Sequence, residues 1–454
     1  MTGLNSISGF FFIGIGGIGM SALARYFKMQ GKPVYGYDRV ETGLTSRLIG
    51  EGMEIIFSDS VGSIPETVKN DSSVLIVYTP AIGEDNRILN YFKTHGFRIL
   101  KRAELLGEIT RNRTCLAVAG THGQTTTSAI LAHLLISCNL PAMAFLGGIT
   151  ENYNSNFIYN GNSIAVVEAD EYDRSFLHLH PDIACITNTD PDHLDVYENM
   201  AAVTKAFDEF AGLVADREKL LVRKGTALAG KQVGIEENAD YRAENIRVEN
   251  GYYVFDLTAP GIKLRDLQFH LPGHHNLANA VMALGMALLA GVSSDCLPEA
   301  LASFKGVRRR FTYKINTDRL VLIDDYAHHP SELDALFQAV DEMYPGDRKQ
   351  LVFQPHLYSR TRDFGSEFAA SLARFDEVVL LDIYPAREKP IEGITSQWLL
   401  DRIDNKNKIL VSAAELPEVL AGSSSRIKLM AGAGDIGAEV ETVTKKLQKM
   451  LNIE

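Results

Sequence analysis

Several stretches of this 454-residue chain combine residue types and spacings suited to chemistry on phosphates and carboxylates. The first, Gly14-Ile15-Gly16-Gly17-Ile18-Gly19, matches G-x-G-x-x-G, and Asp38 stands 19 residues after Gly19. Such a turn lets backbone N–H groups and a helix N-terminus meet a diphosphate, while the acidic residue bonds a ribose hydroxyl. Taken alone it fits NAD, another dinucleotide-like ligand, or a glycine turn with no ligand. The second is Gly120-Thr121-His122-Gly123-Gln124-Thr125-Thr126-Thr127. It is a shortened version of the phosphate loop G-x-x-x-x-G-K-[ST], with Gln124 where Lys is expected. Its amides suit phosphate and the Thr125 hydroxyl suits Mg²⁺. An unliganded turn is the equal alternative.

Carboxylates follow at two apparent strand ends, Glu168-Ala169-Asp170-Glu171-Tyr172-Asp173 and Asn188-Thr189-Asp190-Pro191-Asp192-His193-Leu194-Asp195. Ligands of open parallel sheets collect at carboxyl ends of strands, where a carboxylate can serve the Mg²⁺ of a nucleotide. A solvated acidic loop is the plain reading of either one alone. Two of them beside a phosphate-type loop weaken it. His193 by itself suits a cap or core position as well as a ligand. In Gly273-His274-His275-Asn276-Leu277-Ala278-Asn279, Asn276 and Asn279 lie three apart on one helix face, and their amides suit the edge of an adenine. A metal role for the two adjacent histidines is weak. Arg308-Arg309-Arg310-Phe311, Asp324-Asp325-Tyr326-Ala327-His328-His329-Pro330 and Phe353-Gln354-Pro355-His356-Leu357-Tyr358-Ser359-Arg360-Thr361 complete the set. Arginine clusters suit phosphate or carboxylate; surface ion pairs and a His-capped turn are the alternatives. Gly432-Ala433-Gly434-Asp435 reads as a structural turn.

The elements that must position these residues alternate strand and helix, which implies parallel sheets with right-handed crossovers. Strands are expected at 10–15, 33–37 and 74–78, with a helix at 20–30, in a first domain of residues 1–103. A central domain, 104–306, has core strands at 114–119, 163–169 and 183–188 and helices at 125–137 and 276–290. It also carries a small antiparallel part around an Asn250-Gly251 hairpin turn. A third domain, 307–454, has strands at 320–324, 350–354, 377–382, 408–411 and 427–431 and helices at 331–343 and 439–451. The fold class is α/β: a Rossmann-like domain, a P-loop-type α/β domain and a second Rossmann-like domain. At roughly 150 residues per domain, the length agrees with three. A net charge of −12 argues against general affinity for nucleic acid or anionic membrane. Cys115, Cys138, Cys185 and Cys296 form no C-x-x-C pair, so reduced thiols are expected. The first eight residues lack Lys and Arg, and glycines interrupt the apolar run that follows, so a cytoplasmic location is expected.

In their order along the chain, these segments resemble the Mur ligase family, over nearly the whole length. GIGGIGMSALAR is similar to its alanine-adding branch, and TPAI at 79–82 with Asp85-Asn86 fits the same domain. AGTHGQTTT resembles the family loop GTHGKTTT; EADEYDRSF, TNTDPDHLDVY, PGHHNLANA, GVRRRF, DDYAHHP, FQPHLYSRT and GAGDI follow in family order. The resemblance implies an ATP- and Mg²⁺-dependent ligase of peptidoglycan biosynthesis. It would join L-alanine to the carboxylate of UDP-N-acetylmuramate through an acyl phosphate, as a monomer or homodimer. Gly14, Gly16, Gly17, Ile18, Gly19, Asp38 and Thr79 would then bind the UDP-sugar. Gly120, Thr121, His122, Gly123, Gln124, Thr125 and Thr126, with His275 and Asn279, would hold ATP. Thr125, Glu168 and His193 would bind Mg²⁺. Arg309 would bridge to the γ-phosphate, while Tyr326, His328, His356 and Arg360 would surround alanine. The resemblance also implies that Gln124, His193, Arg309 and His328 are catalytic, and that the domains close around the substrates. Two alternatives stand beside it: a recycling ligase that adds an intact tripeptide, and a catalytically impaired nucleotide- or UDP-sugar-binding relative, because Gln124 replaces the loop lysine.

Overall fold

The computed structural model describes residues 3–190, 200–249, 252–386 and 388–451. The expected Asn250-Gly251 turn and His193 lie outside them. The chain forms three sheets, each with its own helices. The first sheet is β1 (Phe10–Ile13), β2 (Val34–Tyr37), β3 (Glu54–Ile56), β4 (Leu75–Tyr78) and β5 (Ile99–Lys101). Its order is β3-β2-β1-β4-β5, parallel throughout. β1 is apolar at every position because both its faces are covered. The strand order reverses between β1 and β4, so the loops after these two strands border the crevice where such sheets take ligands.

The second sheet has ten strands: β6 (Thr114–Ala119), β7 (Ala142–Thr150), β8 (Ser155–Tyr159), β9 (Ile164–Ala169), β10 (Ile183–Ile186), β11 (Leu220–Arg223), β12 (Lys231–Ile235), β13 (Tyr241–Glu249), β14 (Tyr252–Ala259) and β15 (Ile262–Phe269). β6 lies between β10 and β9, parallel to both. β7 and β8 form an antiparallel pair at one edge. The strands from β12 to β15 extend the opposite edge of the same sheet. In the third sheet are β16 (Thr312–Asn316), β17 (Val321–Asp325), β18 (Lys349–Phe353), β19 (Glu377–Leu380), β20 (Lys408–Leu410) and β21 (Ile427–Ala431). It is parallel apart from β16, with β17, β21 and β18 adjacent.

Two compact units result. The first sheet and most of the second share one. The other is Lys305–Glu454 with Val248–Tyr253 and His270–Leu277. In the first unit, helix Ile18–Met29 is bolted to β8. Fully buried Asn156 donates to the Ile18 carbonyl at 2.6 Å and to Ser21 Oγ at 2.9 Å, and it accepts from Arg25.

The cysteines differ from the sequence expectation. Cys138 and Cys296 are joined as a disulfide across 158 residues. They cap the end of helix Gln124–Ser137 and the start of helix Leu297–Ala302, two elements that sequence spacing alone does not bring together. Cys115 and Cys185 remain free and buried. Burial pushes the Cys115 thiol up to about 12.

Candidate active site

In the first unit the site grows from the carboxyl ends of β6, β9 and β10. After β6 the chain turns at Gly123, with φ of +84°, straight into helix Gln124–Ser137. Only glycine fits there: a Cβ would stand 2.6 Å from Asn279 Oδ1. That contact also shows that Asn279, 156 positions later in the chain, packs against the loop. The loop is held from β10. Asn188 Oδ1 accepts from Thr121 Oγ1 and from the His122 amide, both at 2.9 Å, and Thr187 Oγ1 donates to the His122 carbonyl. Thr126 is buried.

β9 delivers three carboxylates. Glu168 accepts from Thr125 Oγ1 and Ser128 Oγ at 3.1 Å each and from the Gly147 amide. Burial raises its pKa against the pull of these bonds. Asp170 pairs with Arg102 at 2.9 Å. Glu171, almost fully buried, accepts from Gln124 Nε2 at 2.8 Å, and the same nitrogen donates to the Gly120 carbonyl. The structure brings Thr125 and Glu168, both singled out from sequence, within 3.1 Å of each other, whereas the sequence pattern held no sign of Arg102. Its one sequence signal is position, at the first turn of helix Arg102–Thr110, directly after β5.

The glycine loop follows β1 and opens helix Ile18–Met29. Thr79, just beyond β4, lies with its methyl group 3.2 Å from where a Cβ on Gly14 would stand. Asp38 turns into the loop, and its Oδ2 accepts from the Gly16 amide at 2.8 Å. Gly14, Gly16, Gly17, Ile18, Gly19, Asp38 and Thr79 therefore form one cluster across the switch point.

In the second unit the ends of β17, β18 and β21 carry the other motifs. His328 Nδ1 lies 2.8 Å from the Tyr326 carbonyl and 3.2 Å from Glu332 Oε2. The His356 ring is 6.0 Å from that of His328, stacks on Tyr384 and meets Arg360 Nη1 at 3.3 Å. Tyr326, His328, His356 and Arg360 thus lie beside one another. Arg309 bonds Asp324 Oδ1 at 3.3 Å and the Gly432 carbonyl at 2.6 Å, with Tyr326 5.2 Å from its guanidinium carbon. Burial pushes neighbouring Asp325 up to about 6, against Arg310 and the Phe311 and Ala327 amides. Gly432-Ala433-Gly434-Asp435, read from sequence as structural, reaches the site motifs through Gln354, which donates to Asp435 at 2.6 Å and accepts from Ile436 N. Asn276, expected beside Asn279, donates instead to the Pro272 carbonyl at 2.7 Å and closes its own turn. His274 and His275 open helix His274–Leu289. Among the described residues no group of three or more His, Cys, Asp or Glu is placed to hold a metal.

Comparison with known proteins agrees with this layout. The family model described as "Mur ligase family, catalytic domain" matches residues 10–114, "Mur ligase middle domain" matches 118–287 and "Mur ligase, glutamate ligase domain" matches 309–436. A protein of Christiangramia forsetii named UDP-N-acetylmuramate–L-alanine ligase is 55% identical over 98% of this chain and 99% of its own. The crystal structure of UDP-N-acetylmuramate–alanine ligase from Thermotoga maritima is 28% identical, with a TM-score of 0.84 over 97% of this chain and 99% of that one. A murein peptide ligase from Psychrobacter arcticus shares the fold, at 20% identity and a TM-score of 0.70 over 97% and 98%. By sequence, fold and the order of its motifs, the chain belongs to the Mur ligase family.

Proposed function

We propose that this chain is an ATP-dependent ligase that joins L-alanine to the carboxylate of UDP-N-acetylmuramate, a cytoplasmic step of peptidoglycan biosynthesis. The observation that carries this reading is the meeting of a phosphate-type loop with half-buried Glu168, through Thr125, in a chain 55% identical over nearly its whole length to a ligase of that name. Residues 1–103 take the UDP-sugar, 104–306 take ATP and 307–454 take the amino acid.

The glycine-loop cluster with Asp38 and Thr79 serves the UDP. The amides of residues 120–126 cradle the ATP phosphates, and Asn279 and His275 serve the adenine. Thr125 Oγ1 and Glu168 Oε2, 3.1 Å apart, suit two positions of a Mg²⁺ shell, and His193 is the third ligand of this reading. Thr125 and Glu168 would hold Mg²⁺ there, which would supply positive charge beside the phosphates. The substrate carboxylate attacks the γ-phosphorus, forming an acyl phosphate and releasing ADP. The alanine amine then attacks the acyl carbon, an amide forms and phosphate leaves. Arg309 neutralises phosphate charge in the first step. His328 and Tyr326 line the amine side of the alanine pocket with His356, and Arg360 suits the alanine carboxylate.

A second reading, nucleotide and UDP-sugar binding with impaired turnover, is favoured by Gln124, whose amide nitrogen is already engaged by Glu171 and Gly120. The test is phosphate release with ATP, Mg²⁺, UDP-N-acetylmuramate and either L-alanine or the recycling tripeptide. Release that needs L-alanine and not the tripeptide is expected. Release with the tripeptide alone would move the chain to the recycling branch. Binding without release would favour the impaired reading.

A further inference from the structure

The three carboxylates at the end of β9 each face a different partner. Glu168 meets Thr125 and Glu171 meets Gln124, both of the phosphate loop, whereas Asp170 meets Arg102. Arg102 comes from the other direction, at the end of the first sheet. Its far side lies against the glycine loop: a Cβ on Gly19 would stand 2.7 Å from Arg102 Nη1 and 3.3 Å from its Cδ. Gly19 is thus bare so that a guanidinium can rest on it. A small hollow beside Arg102 is lined by Glu168, Asp170 and Ser175. Among the described residues Asp170 is the acceptor that Arg102 reaches, through Nη2 at 2.9 Å, and 22% of the arginine side chain is exposed. A guanidinium has five donors in a planar fork that matches a carboxylate, so an open edge remains.

We propose that Arg102 binds the carboxylate of the sugar-nucleotide substrate and holds it between the glycine loop and the phosphate loop; this rests on the ligase reading above. That substrate carries two anionic groups, a diphosphate and a carboxylate. The amides of the glycine loop and the start of helix Ile18–Met29 suit the diphosphate. Arg102 lies on the side of Gly19 toward β9, whose Glu168 is bonded to the phosphate loop. A carboxylate that attacks ATP must pass this point, and Arg102 meets it there with a charge. In a phosphate loop that lacks lysine, this guanidinium also offsets the repulsion between the two anions of the first step. Asp170 presets the fork and competes for it.

The test is calorimetric titration of UDP, UDP-N-acetylglucosamine and UDP-N-acetylmuramate into the full chain, into Arg102→Gln and into Asp170→Asn. Arg102→Gln is expected to bind UDP-N-acetylmuramate about 10–100-fold more weakly, with the two ligands that lack the carboxylate held within about twofold. Asp170→Asn is expected to bind UDP-N-acetylmuramate at least as tightly as the parent. Equal loss of all three ligands in Arg102→Gln would make it a diphosphate contact and overturn the proposal. So would unchanged binding of all three, or the same loss in Asp170→Asn, which would mark the pair as a strut. Failure of the parent to prefer UDP-N-acetylmuramate over UDP-N-acetylglucosamine would overturn the ligase reading itself, and is distinguished by being seen before any substitution. Melting temperatures of both variants report their folding.

Discussion

At Gln124 the departure from a lysine-bearing phosphate loop can be followed atom by atom. A glutamine amide has two N–H donors. One serves Glu171 and the other the Gly120 carbonyl, so neither is left for a phosphate. A lysine there would bring a full charge and would also give buried Glu171 a cationic partner. Gln124→Lys is therefore expected to raise kcat by about 10²–10³, or roughly 3–4 kcal/mol of transition-state stabilisation, with UDP-N-acetylmuramate affinity unchanged. Steady-state phosphate release beside a binding titration measures both. A lysine variant no faster than the parent would mean that the amides and the other cations already suffice. Residue identity was visible in the sequence at Gln124. Its partner was not, because Gln124 and Glu171 are 47 positions apart and only the pairing of β6 with β9 brings them together.

Among the elements, β6 and β21 run as the sequence pattern predicts, because each is a mostly apolar run covered on both faces. β8 carries Ser155 and Asn156 and gave no such signal; Asn156 is buried there because helix Ile18–Met29 satisfies its amide. The short edge strand β3 gave none for the same reason, since neighbours, not composition, decide it, whereas β20 was expected at 408–411 and runs Lys408–Leu410. One polar residue inside β21 has a measurable effect. Lys428 is paired in register with Gln350 on β18, and burial lowers its pKa to about 8. Its folded pKa is depressed below the unfolded 10.5. Between these values the unfolded chain binds the proton more readily, so stability contributed by Lys428 rises with pH and is lost as pH falls through about 8. Lys428→Met is expected to raise the urea midpoint at pH 7, by an amount that shrinks steadily from pH 8 toward pH 10. Paired urea titrations across that range measure it, and a gain independent of pH would assign the effect to packing instead.

For the molecule as a whole, three α/β units were legible, since glycine loops and acidic segments punctuate apolar runs at regular intervals. The covalent link was not. Cys138 and Cys296 stand 158 residues apart in sequence, and nothing in their local context pairs them. Closing so long a loop restricts the unfolded chain, so reduction is expected to lower stability by about 3–5 kcal/mol on a chain-entropy model. Urea titrations with and without a thiol reductant test this, and an unchanged midpoint would argue that the bond does not form. A thiol count in denaturant without reductant is expected to find two reactive cysteines, Cys115 and Cys185, not four. The bond also makes the polypeptide a ring with two tails. Pulled by its termini, the oxidised chain cannot pay out the 158-residue span. It would reach a contour shorter by about 520–570 Å than the reduced chain, at ~3.3–3.6 Å per residue. β7 to β15 would thus stay mechanically sheltered inside a closed circle while the tails unravel.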